Sequence, residues 1–167
     1  MTGKGERLEH PIPPTWDTAS EVLILGSFPS VKSRETAYFY GHPQNRFWRV
    51  SAEVFGENIP GTTEEKKAFL LRNHIAVWDV IASCTIIGSS DSSIRDVRPN
   101  DLEPILSGAR IRQIFTNGRK AEELYRRWLY PMTGRESVCL PSTSPANAAW
   151  TFEKLVTAWS VIRQGRS

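Results

Sequence analysis

The chain has 167 residues, of which 40% are hydrophobic and 23% charged, and it carries a formal net charge of +3 with an isoelectric point near 9.0. This composition is that of an ordinary globular protein of one domain, and its mildly basic balance is compatible with an anionic partner. No apolar run is long enough to cross a bilayer, and the N-terminus lacks the apolar core of a signal peptide. The only two cysteines are far apart in sequence, which excludes an all-cysteine iron–sulfur site. We therefore expect a cytoplasmic protein with no membrane contact.

Short apolar runs and amphipathic segments alternate along the chain. Four runs predict strands of a parallel sheet, the first two of them buried: Ser20–Ser27, His74–Ile81, Ile111–Gly118 and Ser137–Pro141. Helices are predicted from Asn45 to Gly56, from the capping box of Thr62 and Glu65, from Asn100, from Arg119 to Tyr130, and from Asn147 to Arg163.

This alternation predicts an α/β fold, a three-layer α/β/α sandwich around a central four-stranded, mainly parallel sheet. We expect residues 1–18 to form a loose N-terminal segment and residues 19–167 a single domain. A long polar loop is expected after the second strand.

Unusual polar and small residues follow each of the four predicted strands. "GSFPS" and then "YGHPQNRFW" follow the first, Trp78 and Asp79 end the second, "TNGRK" follows the third and "PSTSPANAAW" the fourth. Ligands of open α/β sheets bind outside the carboxyl ends of the strands. The sequence therefore predicts a site where these four segments meet.

The same segments resemble a known family. "GSFPS" followed by "YGHPQNRFW", with "PSTSPANA" near the C-terminus, is similar to the uracil-DNA glycosylase superfamily, and most closely to its DNA-deoxyinosine glycosylase branch, over Val22 to Trp159. The resemblance implies a monofunctional enzyme of base excision repair that uses water to hydrolyse the bond between hypoxanthine and deoxyribose. It further implies DNA as the partner, a cytoplasmic or nucleoid-associated location, no cofactor and no metal.

Two alternatives remain open from the sequence. The mismatch-specific uracil and thymine branch shares the "HP…NRFW" segment, so a uracil or thymine glycosylase is one alternative. A catalytically silent nucleic-acid-binding member of the same fold is the other, because three positions depart from the superfamily pattern. Phe28 stands where relatives have a water-directing Asp or Asn, Ser142 where many have a histidine, and Ala146 where some have an intercalating leucine.

Asn45 is the candidate catalytic residue. Its carboxamide can hold a water and replace the polar group that Phe28 lacks. The same residue type is a favoured helix N-cap, so a purely structural role is the competing interpretation.

The remaining candidates fall into two groups. Residues expected at the base are Gly26, Phe28, Tyr40, Asp79 and Asn117. Residues expected at the DNA backbone or minor groove are Ser142, Ser144, Asn147 and Arg46, with Arg95, Arg98, Arg119 and Lys120 near the same rim. The resemblance aligns Tyr40 with an aromatic residue on which relatives stack the flipped base, whereas Asp79 and Asn117 can accept from and donate to the polar edge of hypoxanthine. His42 is interpreted either as a ligand contact or as a brace for its own loop.

Overall fold

The computed structural model describes residues 6–87 and 93–163. Its strands are β1 Glu6–Glu9, β2 Val22–Gly26, β3 Ile75–Asp79, β4 Ile81–Ile86, β5 Arg95–Pro99, β6 Gln113–Asn117 and β7 Ser137–Leu140. Its helices are α1 Val31–Thr36, α2 Phe47–Phe55, α3 Thr63–Arg72, α4 Glu103–Gly108, α5 Arg119–Leu124, α6 Tyr130–Thr133 and α7 Phe152–Trp159. A π-helical turn, Tyr125–Leu129, joins α5 to α6, and a 3₁₀ turn, Ser160–Ile162, follows α7.

The central sheet confirms the predicted fold class. Four parallel strands lie in the order β3-β2-β6-β7. Side chains of successive residues in β2 point to opposite faces of the sheet. Val22 and Ile24 pack against α2, α3 and α7 on one face. Leu23 and Leu25 pack against α4 and the α5–α6 helix on the other. Two hydrophobic cores, one on each face, therefore make the three layers.

A second sheet was not predicted from the sequence. Strands β1, β4 and β5 form an antiparallel sheet in the order β1-β4-β5. The expected polar loop is thus largely a hairpin, although residues 88–92 of it lie outside the described residues. Strand β5, "RDVRP", is mostly exposed and polar, so it carries no hydrophobic signal, and the backbone pairing alone defines it.

The prediction of a loose N-terminal segment is wrong from Glu6 onward. Strand β1 pairs with β4, Thr15 bridges to Val77, and Ile12 is 2% exposed in the core. The indole of Trp78 donates to the carbonyl of Ile12 at 3.1 Å. The segment is held because β4 needs a hydrogen-bonding partner on its open edge. Residues 1–5 lie outside the described part of the chain.

Helix boundaries follow the capping chemistry. The predicted box of Thr62 and Glu65 is confirmed at the start of α3, and Gly56 ends α2 with a left-handed φ of 65°. Two predicted caps are wrong. Asp101, not Asn100, accepts from the amide of Glu103 at the start of α4.

The last helix also begins later than predicted. It starts at Phe152, where the Thr151 side chain accepts from the amide of Lys154. Asn147 instead lies in the preceding loop, and its Nδ2 donates to the carbonyl of Ser142 at 3.0 Å. A bond within this loop thus takes the place of the expected helix cap.

Candidate active site

A cavity of about 330 Å³ opens at the carboxyl ends of β2, β3 and β6. This volume is in the range of pockets that hold small organic ligands, about 300–1,000 Å³. Eight of the ten residues predicted for the site line it: Gly26, Phe28, Tyr40, Asn45, Asp79, Asn117, Ser142 and Ser144. The segments identified from the sequence therefore meet at one place.

The floor of the cavity is formed where β2 and β3 end side by side. Gly26 is directly opposite Asp79 in the parallel register. A Cβ atom added at Gly26 would lie 2.4 Å from Asp79 Oδ1 and 3.3 Å from the hydroxyl of Tyr40. The glycine is therefore required for the carboxylate and the phenol to approach the same point.

For the base release that the sequence resemblance implies, Gly26→Ala is expected to lower the rate by about 10²-fold, because the added methyl must displace the Asp79 carboxylate and small displacements have effects of this size. Single-turnover cleavage measures the loss. Gly61→Ala is the matched control, since its nearest neighbour is Glu65 Oε1 at an ordinary 3.5 Å, and it should retain the parent rate. Equal rates for the two variants would show that a side chain at Gly26 does not disturb the Asp79 carboxylate.

Tyr40 forms one wall of the cavity. It has a left-handed φ of 53°, and one face of its ring stacks on Phe47 with centroids 4.2 Å apart and planes 20° apart. Its hydroxyl is buried, interacts with the side chain of Asn117, and makes no hydrogen bond of normal geometry within the described part of the chain. Burial, reinforced by the negative charge of Asp79, raises the pKa of Tyr40 well above its ordinary value. The phenol therefore keeps its proton and has it available for a ligand or a water.

Asp79 is a buried carboxylate, 4% exposed, and the structure shows two partners that sequence reasoning missed. His10 Nε2 lies 2.8 Å from Asp79 Oδ2. The side-chain amide of Asn100 donates to the backbone carbonyls of Asp79 and Ile81, at 2.9 and 3.1 Å, across the point where the chain leaves β3 and enters β4.

Neither partner carried a clear sequence signal. "EHPIP" around His10 is typical of an exposed loop, and Asn100 matches a helix cap. Only the tertiary contacts reveal that both hold Asp79.

Asn45 lies on the cavity wall and also at the start of α2. Its Oδ1 accepts from the amide of Phe47 at 2.9 Å, one position inside a helix whose N-cap residue is Arg46. This bond fixes the carboxamide and leaves its Nδ2 and one lone pair of Oδ1 for a ligand. Capping and lining the cavity are therefore compatible in one side chain.

Asn117 braces the loop after β7. Its Oδ1 accepts from the amide of Thr143 and its Nδ2 donates to Thr143 Oγ1, both at 3.0 Å. Thr143 is fully buried. One Nδ2 proton and one oxygen lone pair of Asn117 remain for a base.

Two of the four DNA-contact candidates line the cavity, and the other two form hydrogen bonds in the structure around it. Ser142 and Ser144 line the cavity, and Ser142 Oγ accepts from the amide of Ser144 at 3.1 Å. Arg46 and Asn147 do not line it. The Arg46 guanidinium instead donates to the carbonyls of Trp150, at 2.5 Å, and Asn147, at 3.0 Å, which ties α2 to the loop after β7. Contact of these four residues with DNA remains a prediction.

Two further residues shape the entrance. Phe28 is a half-buried wall, with the guanidinium of Arg34 5.7 Å from its ring centroid. His42 lines the cavity, and its Nδ1 accepts from the amide of Gln44 at 3.0 Å, so it also braces its loop.

No group of three or more His, Cys, Asp or Glu side chains is arranged to hold a metal ion among residues 6–87 and 93–163. In the same ranges, no helix is long and apolar enough to span a membrane.

Comparison with known families decides the assignment. The sequence profile described as "Uracil DNA glycosylase superfamily" matches residues 13–163. The chain belongs to the uracil DNA glycosylase superfamily. The resemblance seen in the sequence motifs is thereby confirmed over most of the chain.

Relatives within this superfamily share most of the chain's length. A protein of Methanosarcina acetivorans named hypoxanthine DNA glycosylase is 40% identical over 152 residues, which is 90% of this chain and 94% of the relative. A protein of the same name from Methanosarcina barkeri is 35% identical over 137 residues, 81% and 85% of the two chains.

A solved structure gives the same fold. The solution NMR structure of a protein from Methanosarcina acetivorans, described as a candidate uracil DNA glycosylase, superposes with a TM-score of 0.80 and 36% identity. The match covers 95% of this chain and 98% of the other. The two proteins therefore share a uracil DNA glycosylase-like fold over most of both chains.

Proposed function

We propose that this superfamily member is a DNA glycosylase that releases hypoxanthine from deoxyinosine in DNA by hydrolysis of the N-glycosidic bond. The observation that carries the proposal is the cavity, which joins Asp79, Tyr40 and Asn45 at the rim where the superfamily motifs converge. The two relatives named hypoxanthine DNA glycosylase support this base.

The target base enters the cavity after its nucleotide is flipped from the duplex, which costs a few kcal/mol of stacking. The ring of Tyr40, backed by Phe47, is the surface on which the base stacks, an interaction of about 1–3 kcal/mol. Hypoxanthine has an N1–H donor and an O6 acceptor. Asp79 Oδ1 accepts from N1–H, and the remaining Nδ2 proton of Asn117 donates to O6.

Bond cleavage builds positive charge on the sugar and negative charge on the base. Donors at the base edge, Asn117 among them, stabilise the departing anion. Asn45 holds the attacking water, because its anchored carboxamide lines the cavity and keeps its Nδ2 group and one lone pair of Oδ1 available. Phe28, in place of a water-directing side chain, serves as an apolar wall that excludes bulk water.

A panel of duplexes tests the proposal. Each contains a single deoxyinosine, a uracil or a thymine mismatch, and alkali converts any abasic site into a strand break. Cleavage of the deoxyinosine duplex above the other two supports hypoxanthine as the base. Preference for uracil or thymine would favour the mismatch-type alternative, and intact duplexes throughout would favour a silent DNA-binding protein.

DNA binding is expected to weaken with salt. Arg95, Arg98 and Arg119, which the sequence analysis expects near the rim, are exposed and can neutralise phosphates. The logarithm of the association constant should fall by about 0.9 per decade of salt for each phosphate neutralised. Fluorescence anisotropy of a labelled duplex across a salt series measures this slope, and a slope near zero would leave these cations as ordinary surface groups.

A further inference from the structure

The most unusual feature that the sequence did not predict is the buried pair that His10 forms with Asp79. The two side chains are 3% and 6% exposed, and His10 Nε2 lies 2.8 Å from Asp79 Oδ2. His10 directly follows β1. It also lies before residue 13, where the superfamily match begins, so a segment outside the matched region delivers a side chain to the floor of the cavity.

The backbone fixes which nitrogen of His10 carries the proton. The amide of Ile12 donates to His10 Nδ1 at 3.1 Å, so Nδ1 must present its lone pair. A neutral imidazole has one N–H, which is therefore on Nε2 and donates to Asp79 Oδ2. The rings of Phe28, Phe39 and Trp78 surround the imidazole with centroids 5.8–6.3 Å away and hold it in this orientation.

This hydrogen bond leaves only one oxygen of the Asp79 carboxylate free to accept from a ligand. Its Oδ2 is engaged by His10, whereas its Oδ1 faces the point above Gly26, beside the buried hydroxyl of Tyr40. Because Oδ2 accepts the hydrogen bond from His10 Nε2, Oδ1 remains as the acceptor on the cavity side.

Such an acceptor distinguishes deaminated bases from their amino parents. Hypoxanthine and uracil carry an N–H beside a carbonyl, whereas the corresponding ring nitrogen of adenine or cytosine carries a lone pair. A carboxylate oxygen is stabilised by the N–H and repelled by the lone pair.

We infer that His10 is a positioning residue that orients Asp79 as the acceptor for the base N–H, and thereby helps the site select deaminated bases. The inference rests on the proposed function. It adds a residue that acts through Asp79 and contacts neither the base nor the sugar.

The test compares the wild type with His10→Leu, which removes the donor, and His10→Gln, whose side-chain amide can donate from a similar position. Single-turnover rates are measured on matched duplexes containing deoxyinosine or deoxynebularine, a purine nucleoside whose N1 is a lone-pair acceptor. His10→Leu should reduce the preference for deoxyinosine by about ten- to hundredfold, the effect of a hydrogen bond to a charged group. His10→Gln should restore much of the preference.

A purely structural role predicts a different pattern, in which both substrates slow together and their ratio is unchanged. A folded His10→Leu protein with the wild-type ratio would overturn the inference while leaving the proposed function intact. If the wild type releases no hypoxanthine at all, the proposed function fails first.

The tautomer can also be measured in the wild type, without any variant. Nitrogen-15 NMR of the imidazole should show a protonated Nε2 and an unprotonated Nδ1. A proton on Nδ1 would overturn the inference even if the variants at this buried position do not fold.

Discussion

Replacing Asn45 with alanine is expected to slow the single-turnover release of hypoxanthine by about 10²–10³-fold, the loss usual for one preorganised polar group that acts on the transition state. Affinity for the deoxyinosine duplex should hardly change, because the carboxamide holds the attacking water and makes little contact with the ground state. Rapid-quench kinetics and anisotropy on the same duplex separate the two quantities.

The same substitution also removes the bond from Asn45 Oδ1 to the amide of Phe47, so a loss of about 1 kcal/mol of stability is expected as well. Thr62→Ala is the matched control. It removes the cap of α3, where Thr62 Oγ1 accepts from the amide of Glu65, and it should be destabilised to a similar extent with an unchanged rate. If Asn45→Ala behaves in the same way as Thr62→Ala, melting earlier and cleaving at the parent rate, Asn45 is only a cap.

Asp79→Asn is expected to lower the rate on deoxyinosine by about 10²–10³-fold. The N–H of His10 Nε2 will hold the new amide with its oxygen toward His10. The amide NH₂ then faces the cavity and meets the N1–H of hypoxanthine, so a donor opposes a donor where an acceptor is required. Single-turnover cleavage measures the loss, and activity on deoxynebularine should be affected much less because its N1 accepts.

Asp101→Asn makes the same chemical change outside the cavity. Asp101 is exposed and caps α4 through the amide of Glu103, and asparagine caps helices equally well. This control should keep both its stability and its activity. A similar loss on both duplexes in Asp79→Asn would mean that the carboxylate supports the structure and does not read the base.

The central sheet and the rim of the site could be predicted because their signal is local. Strands β2, β3 and β6 are short apolar runs that are largely buried, whereas β7 is a partly exposed edge strand. Each of the four is followed by small or polar residues that core packing does not require. The register that sets Gly26 opposite Asp79 follows from two such strands lying side by side. Eight of the ten predicted site residues consequently line one cavity.

The remaining features depend on contacts between residues far apart in sequence. His10 is separated from Asp79 by 69 positions, and Arg46 reaches the carbonyl of Trp150 across 104. The edge strand β5 carries charged residues, and its pairing with β4 gives no periodicity that a sequence pattern could detect. Asn100 matches a helix cap by type, yet its amide donates to the buried carbonyls of Asp79 and Ile81 instead.

The reaction itself is tested most directly by identifying the released base. A duplex with one deoxyinosine is incubated with the protein. The released small molecules are then separated by liquid chromatography, and identified and quantified by mass spectrometry. Our account predicts free hypoxanthine in amounts equal to the abasic sites formed, with the DNA strand unbroken until alkali is added. A protein that binds this duplex and leaves every hypoxanthine attached to its sugar would contradict it.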